Sequence, residues 1–495
     1  MKSALWWVMV FSAICYFTEL NAENLDWDTD RIACGLSSSE HHPQITSANG
    51  VLQLSCDTGD GWIITRFSTN NGLTWGPIQQ INATGFDTKT ASCTDGQNSY
   101  LSVFVPGGDT LKVYRFDSNQ QLADSNWIYF GSAYDGSSVC MTSDYRFDPE
   151  EPYVNIVWQE YYWSSGRMQG MFSQSQDQGE SFSTPDMVYE TFNDSPLYGN
   201  IVTTATWSGE SEKTWVGGTV DRLGSIGEEV VLYSKNGGNA WQSVAIDTSA
   251  YTQVDLSLAG YQSTLFAAYA RRINAASQKE IFLVYSLNNG ADFVDPVQLT
   301  GSNADDYNPE VVICPELNRF AVFYQSSEVQ QEPATIWVIE GELTSPWLIS
   351  EAVQVCATEQ ALRTGGYDAC ATAEGFAVVW TGLSILEGTD IWFDASWQGE
   401  SVEPISVIPA DIRIGAPFPN PFNSSLTIPI ELTHNRNIEL LIYDISGRAV
   451  LRRSIGELTA GQHSIPIGFT GLPSGSYFIG ATEIPRQTVR VNLIK

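Results

Sequence analysis

Histidine is nearly absent from this chain. Four occur in 495 residues, and of these only His41 and His42 precede residue 409. Adjacent residues of an extended chain point apart, so a paired-histidine zinc site is not expected. A Ser-His-Asp triad would have to draw on one of the two, and no nucleophile-elbow motif supports it. Basic residues are also scarce: 24 Lys+Arg stand against 57 Asp+Glu, a formal net charge of −33. Such a surface repels nucleic acid and anionic membrane and excludes both as partners. The chain has no G-x-x-x-x-G-K phosphate loop, no cysteine pairs spaced for zinc and no D-x-[D/N]-x-[D/N]-G calcium loop. Asp305, Asp306 and Glu310 could hold calcium, but acidic loop residues read first as solvated. No metal and no cofactor is expected.

Long apolar runs are missing beyond the start. Residues 1–22 read as a secretory signal, with Lys2, an apolar stretch from Ala4 to Phe17 and a cleavage site at Leu20-Asn21-Ala22. Acylation at Cys15 is the weaker alternative, because the bulky Ile14 precedes it. The mature chain then has no transmembrane segment. Its charge is uneven: residues 23–408 hold 15 Lys+Arg against 50 Asp+Glu, and 409–495 hold 8 against 6. That shift places a domain boundary near Pro409. Seven cysteines remain. Cys93, Cys140, Cys314 and Cys370 recur before turns and read as small buried hydrophobes. One bridge among Cys34, Cys56 and Cys356 is expected in an exported protein.

Against these absences stands a phrase that occurs four times. It reads Ser68-Thr-Asn70-Asn-Gly72-Leu-Thr-Trp75, Ser175-Gln-Asp177-Gln-Gly179-Glu-Ser-Phe182, Ser234-Lys-Asn236-Gly-Gly238-Asn-Ala-Trp241 and Ser286-Leu-Asn288-Asn-Gly290-Ala-Asp-Phe293. An Asx side chain closes a turn onto backbone N–H groups, glycine supplies positive φ and the aromatic anchors the outgoing strand. The intervals are 107, 59 and 52 residues, so a decayed copy is expected near Tyr114–Ser118. Seven strongly apolar segments keep the same beat, among them Val51–Leu54, Val154–Trp158, Phe320–Tyr324 and Phe376–Trp380. The phrase resembles the Asp-box of sialidase-like (BNR repeat) β-propellers. The resemblance implies an all-β propeller over residues 23–408, and the seven apolar segments put it at about seven four-stranded blades.

Residues 409–495 resemble a type A C-terminal sorting domain of the type IX secretion system. The resemblance rests on Pro417-Phe-Pro-Asn-Pro-Phe-Asn423, Ile438-Glu-Leu-Leu-Ile-Tyr-Asp-Ile-Ser-Gly-Arg448, Leu472-Pro-Ser-Gly-Ser-Tyr-Phe478 and Lys495. It implies a small C-terminal β-sandwich, recognition by the secretion machinery, and a protein secreted or attached to the cell surface across the outer membrane.

In such a propeller the boxes mark one face, and ligands meet the loops of the other. There the sialidase resemblance implies an arginine cluster, a tyrosine nucleophile with a glutamate partner, and an aspartic acid. The candidates are Arg222, Arg271, Arg363, Glu160, Tyr269 and Asp57. The F-R-I-P arginine motif of sialidases is not found, and sialidases have six blades. The binding candidates are Tyr161, Tyr162, Trp163 and Arg167, an aromatic run beside a cation suited to stacking on sugar rings. The leading reading is a binding protein for a glycan or an extracellular protein ligand. The alternative is a secreted exo-acting glycoside hydrolase, sialidase-like or glucan-degrading.

Overall fold

The apolar segments become strands because both of their faces are covered. Phe320 to Tyr324 is buried at every position, and Gly375–Leu383 is buried up to its last residue. In the computed structural model each such segment is the second strand of an antiparallel sheet. The structure describes residues 27–396 and 412–495, except 28–29, 36–38, 59–60, 82–88, 105–109, 130–134, 144–151, 163–164, 193–199, 209–210, 222–227, 238–239, 249–254, 275–276, 302–303, 328–333, 357–360, 362–365, 384–387, 415–416, 433–434, 444–448 and 482–483. The expected signal at 1–22 and the expected boundary near Pro409 lie outside the described residues.

Among the described residues, seven sheets of four strands follow one another, one of them carrying a short fifth. Their first strands are Glu40–Ala48 (sheet 1), Lys89–Thr94 (sheet 2), Asp135–Ser143 (sheet 3), Val202–Ser208 (sheet 4), Asp255–Tyr261 (sheet 5), Asp305–Cys314 (sheet 6) and Tyr367–Thr372 (sheet 7). In sheet 7 the fourth strand is Arg31–Cys34, which pairs with Thr389–Ala395, so the earliest strand completes the last sheet. Each first strand packs on the first strand of the next sheet, and Tyr367–Thr372 packs on Glu40–Ala48. The seven therefore close a ring around a cavity of about 400 Å³. Its wall is rich in hydroxyls, including Thr46, Ser92, Thr94, Ser138, Thr204 and Ser257. Between sheets the contacts are aromatic: Phe67 meets Phe116 at 5.6 Å and Phe266 stacks on Phe320 at 4.4 Å.

The repeated phrase forms the turn between third and fourth strands. Ser68 Oγ accepts from Gly72 N–H at 2.9 Å and donates to Asn70 Oδ1 at 3.0 Å, which also accepts from Thr74 N–H at 2.9 Å. Ser175, Asp177, Gly179 and Ser181 repeat this at 2.8 Å for each bond. Ser286, Asn288, Gly290 and Asp292 do so at 2.9 Å. Gly238 of the remaining copy lies outside the described residues. At the turn of sheet 2, Asp117 Oδ1 accepts from Asn119 and Gln121 N–H, so one carboxylate replaces the serine–Asx pair. The turn aromatics also reach other sheets: Trp75 meets Phe393 at 5.6 Å, Trp241 meets Phe172 at 5.3 Å, and Phe293 meets Trp215 at 6.1 Å.

The C-terminal residues form two further sheets. One contains Ile412–Ile414, Ser425–Leu432 and Gly461–Gly468; the other contains Arg436–Tyr443, Ala449–Leu458, Gly475–Ala481 and Ile484–Leu493. Leu426, Ile428 and Ile430 of the first share one core with Leu440, Ile442 and Ile479 of the second. No helix among the described residues is long and apolar enough to cross a membrane.

Candidate functional site

At the rim opposite the Asx turns, the first strands begin with β-bulges. Pairing in sheet 1 jumps from His41–Asp57 to Gln44–Ser55, in sheet 3 from Gly136–Glu160 to Val139–Trp158, and in sheet 6 from Tyr307–Gln325 to Glu310–Phe323. Asp57, Glu160 and Gln325 thus occupy equivalent places on second strands. The bulge residues His42 (φ 48°) and Asn308 (φ 51°) adopt the left-handed conformation, and a proline follows each. Their side chains fold back onto those places: His42 Nδ1 lies 3.0 Å from Asp57 Oδ2, and Asn308 Nδ2 donates to Gln325 Oε1 at 3.1 Å. A bulge re-aims the residue that follows it. Gln44 and Glu310 line the cavity as a result.

Glu310 meets Asp368 there, across the junction of sheets 6 and 7, and the two carboxyls hydrogen-bond each other. Asp368 Oδ2 also accepts from Ile45 N–H of sheet 1 at 2.5 Å, so the pair ties three sheets at the channel. Burial pushes the Glu310 carboxyl well up, and the neighbouring charge of Asp368 adds to this. Burial raises Asp368 to about 6, while the hydrogen bonds from Glu310, Ile45 and Ala369 hold it down. Two acids in such contact share a proton near neutrality, presenting one donor and one acceptor. Beside them Tyr367 donates to the Asn308 carbonyl at 2.5 Å, and its phenol is pushed well up by burial and then by Glu310 and Asp368. Asp255 accepts from Asn308 N–H at 3.4 Å and pairs with Lys279 at 3.3 Å.

The residues proposed from sequence fall into separate groups. Tyr269 and Arg271 are brought together by Asp247, whose Oδ2 accepts from the phenol at 2.8 Å and lies 2.9 Å from Arg271 Nε. The guanidinium covers the Phe282 ring at 4.1 Å. Tyr269 is fully buried, burial first and then the Asp247 charge push its phenol up, and neither residue lines the cavity. Glu160 is buried and accepts from Trp158 Nε1 at 2.8 Å, and burial raises its carboxyl. Asp57 holds His42. Tyr161 is buried, so the aromatic run is not exposed throughout its length. Tyr162 donates to Gln169 at 2.8 Å, Gln169 to Glu190 at 2.7 Å, and Arg167 pairs with Glu190 at 3.1 Å. Arg222, Arg363 and Trp163 lie outside the described residues. Asp305 and Asp306 are buried rather than solvated, and Asp305 accepts from Lys279 N–H at 3.0 Å. All seven described cysteines are free thiols in this structure, so the bridge expected among Cys34, Cys56 and Cys356 is not formed in it.

Sequence reasoning considered His42 only for a zinc site or a triad and Glu310 only for calcium, and it passed over Tyr367 and Asp368. A signal was present, since His41-His42-Pro43-Gln44-Ile45 and Tyr307-Asn308-Pro309-Glu310-Val311 are two copies of one bulge.

Residues 416–495 match the secretion system C-terminal sorting domain. The protein is therefore exported by the type IX secretion system to the cell surface or the medium. No curated protein matches the sequence. Solved structures similar to the chain include an α-L-arabinanase of Penicillium chrysogenum complexed with arabinobiose (13% identity, TM-score 0.41, 75% of this chain and 98% of that one). Another is the fucose-specific lectin of Aleuria aurantia (12%, 0.39, 66% and 98%). A variant of the NanB sialidase of Streptococcus pneumoniae is a third (10%, 0.39, 74% and 70%).

Proposed function

We propose that this protein is an exported, sialidase-like Asp-box β-propeller of seven blades with a C-terminal β-sandwich for sorting, and that it binds a neutral, hydroxyl-rich glycan at its channel mouth. The observation that carries the reading is the contact of the Glu310 and Asp368 carboxyls on a hydroxyl-lined cavity wall. A carboxyl that donates beside a carboxylate that accepts matches sugar hydroxyls, which do both. The acidic mouth disfavours sialosides, and Arg271 and Arg167 are each engaged by a carboxylate. Tyr162 and Arg167 extend the site along the same rim.

The test is a glycan-array screen of the purified protein with sialosides and neutral glycans, repeated for Glu310→Gln and Asp368→Asn. Binding of neutral glycans that falls at least about tenfold in both variants, the loss of one good polar contact, is expected. Binding confined to sialosides, or untouched by both substitutions, refutes the reading. A hydrolase is the second reading, because a carboxyl held protonated can donate a proton to a leaving group. Turnover of any panel member abolished by Glu310→Gln would establish it. The flanking-carboxylate geometry of most glycosidases, with ~5–9.5 Å between carboxyls, does not describe a pair in hydrogen-bond contact.

A further inference from the structure

The ring is closed by a strand of only four residues, Arg31–Cys34, on the outer edge of sheet 7. Besides its pairing with Thr389–Ala395, it is held by Arg66, whose Nη1 donates to the Ala33 carbonyl at 2.7 Å while its Nε and Nη2 donate to Gly76 and Trp75. Cys34 ends this strand, and Cys56 lies in the second strand of sheet 1. Both are almost fully buried in one cluster with Leu54, Ile64, Ile391 and Phe393, and the Cys34 thiol is close enough to act on the Cys56 thiol. Cys356, grouped with them from sequence, belongs to a different cluster with Phe323 and Ile336.

We propose that Cys34 and Cys56 are an oxidation site, joined on export by a disulfide that locks the first sheet to the last and makes closure of the ring covalent. Two S–H bonds break and one S–S bond forms. The two electrons and two protons pass to an exchanging disulfide, small-molecule or protein, which leaves as two thiols. The protein travels to the cell surface or the medium, where disulfides persist. The closed ring itself is unreactive: the neighbouring Cys34 thiol and burial push the Cys56 thiol well up, and the charges of Glu40 and Asp57 add to this. Exchange therefore belongs to the stage before Arg31–Cys34 docks, and docking then shields the bond.

The experiment uses the full chain recovered from the medium or surface of an exporting cell. It is denatured without reductant, alkylated and digested. Five of the seven cysteines are expected to label, with a linked peptide containing Cys34 and Cys56 about 2 Da lighter than the two thiol peptides together. Labelling of all seven, or a bridge between any other pair, overturns the proposal. In Cys56→Ser all six remaining cysteines should label, and a new bridge from Cys34 to another cysteine would show that this geometry does not select the pair.

Discussion

Replacing Gly290 by alanine tests how the Asx turns hold one sheet to the next. Gly290 has φ +73°, and a Cβ built on it lies 2.2 Å from Trp215 Cη2 and 2.3 Å from Cζ2. Trp215 belongs to sheet 4 and is 1% exposed, with its Nε1 donating to Thr206 Oγ1 at 2.7 Å and Lys213 Nζ 4.8 Å from the ring centroid. The ring is held from several sides and cannot swing away cheaply. Alanine at left-handed φ costs about 1–2 kcal/mol. Overpacking a well-filled interior adds about 1–3 kcal/mol. Gly50 isolates the first contribution, because its φ is +74° and nothing lies within 4 Å of its Cβ. Gly50→Ala should therefore lose about 1–2 kcal/mol and Gly290→Ala about 2–5 kcal/mol. Trp215→Phe withdraws the clashing atoms, so in a double-mutant cycle it should recover part of the Gly290→Ala loss. All sixteen tryptophans precede residue 398, so tryptophan emission during urea unfolding reports on the ring of sheets and not on the sorting domain. Equal losses at Gly50 and Gly290, or additive Gly290→Ala and Trp215→Phe effects, would refute the stapling argument.

Three further expectations follow from the buried charges. Glu310 and Asp368 titrate above their unfolded values, so the stability they contribute is complete below about pH 4 and is lost as pH rises through about 6 for Asp368. Asp368→Asn should gain on the wild type in unfolding midpoint between pH 4 and 7, and a constant difference over that range refutes the shared proton. Arg271→Ala leaves Asp247 buried beside Tyr269 and should cost about 3–5 kcal/mol, with glycan affinity of the folded protein unchanged; a loss under about 1 kcal/mol, or abolished binding, contradicts a structural role. The His42–Asp57 bond occupies the place of Asn308–Gln325, so His42→Asn combined with Asp57→Gln should keep stability within about 1 kcal/mol, the worth of one such hydrogen bond, whereas a larger drop in thermal or urea unfolding shows that the two bulges are not interchangeable.

The Asx turns were legible in the sequence because one short stretch carries all of their chemistry: Ser68, Asn70, Gly72 and Thr74 satisfy one another within seven residues. The second strands were legible for a related reason, since burial on both faces demands an unbroken apolar run. The site is built differently. Glu310 and Asp368 are 58 residues apart and meet only because successive first strands pack side by side. Tyr269 finds its partner Asp247 on a different sheet, so being near a loop in sequence gave no hint that it is buried. What sequence can supply is a comparison between repeats. Where two repeats share a local structure, as at His42-Pro43 and Asn308-Pro309, the shared geometry belongs to the scaffold. The differences then carry information: the residue after the bulge is a neutral Gln44 in one copy and Glu310 in the other, and only Glu310 meets a second acid across the sheet junction. A repeated scaffold spreads structural demands evenly around the ring, so a charged departure from the repeat that the bulge turns into the channel is more than the shared bulge requires. That is the reason to look for the ligand at Glu310 and Asp368 before any of the arginines.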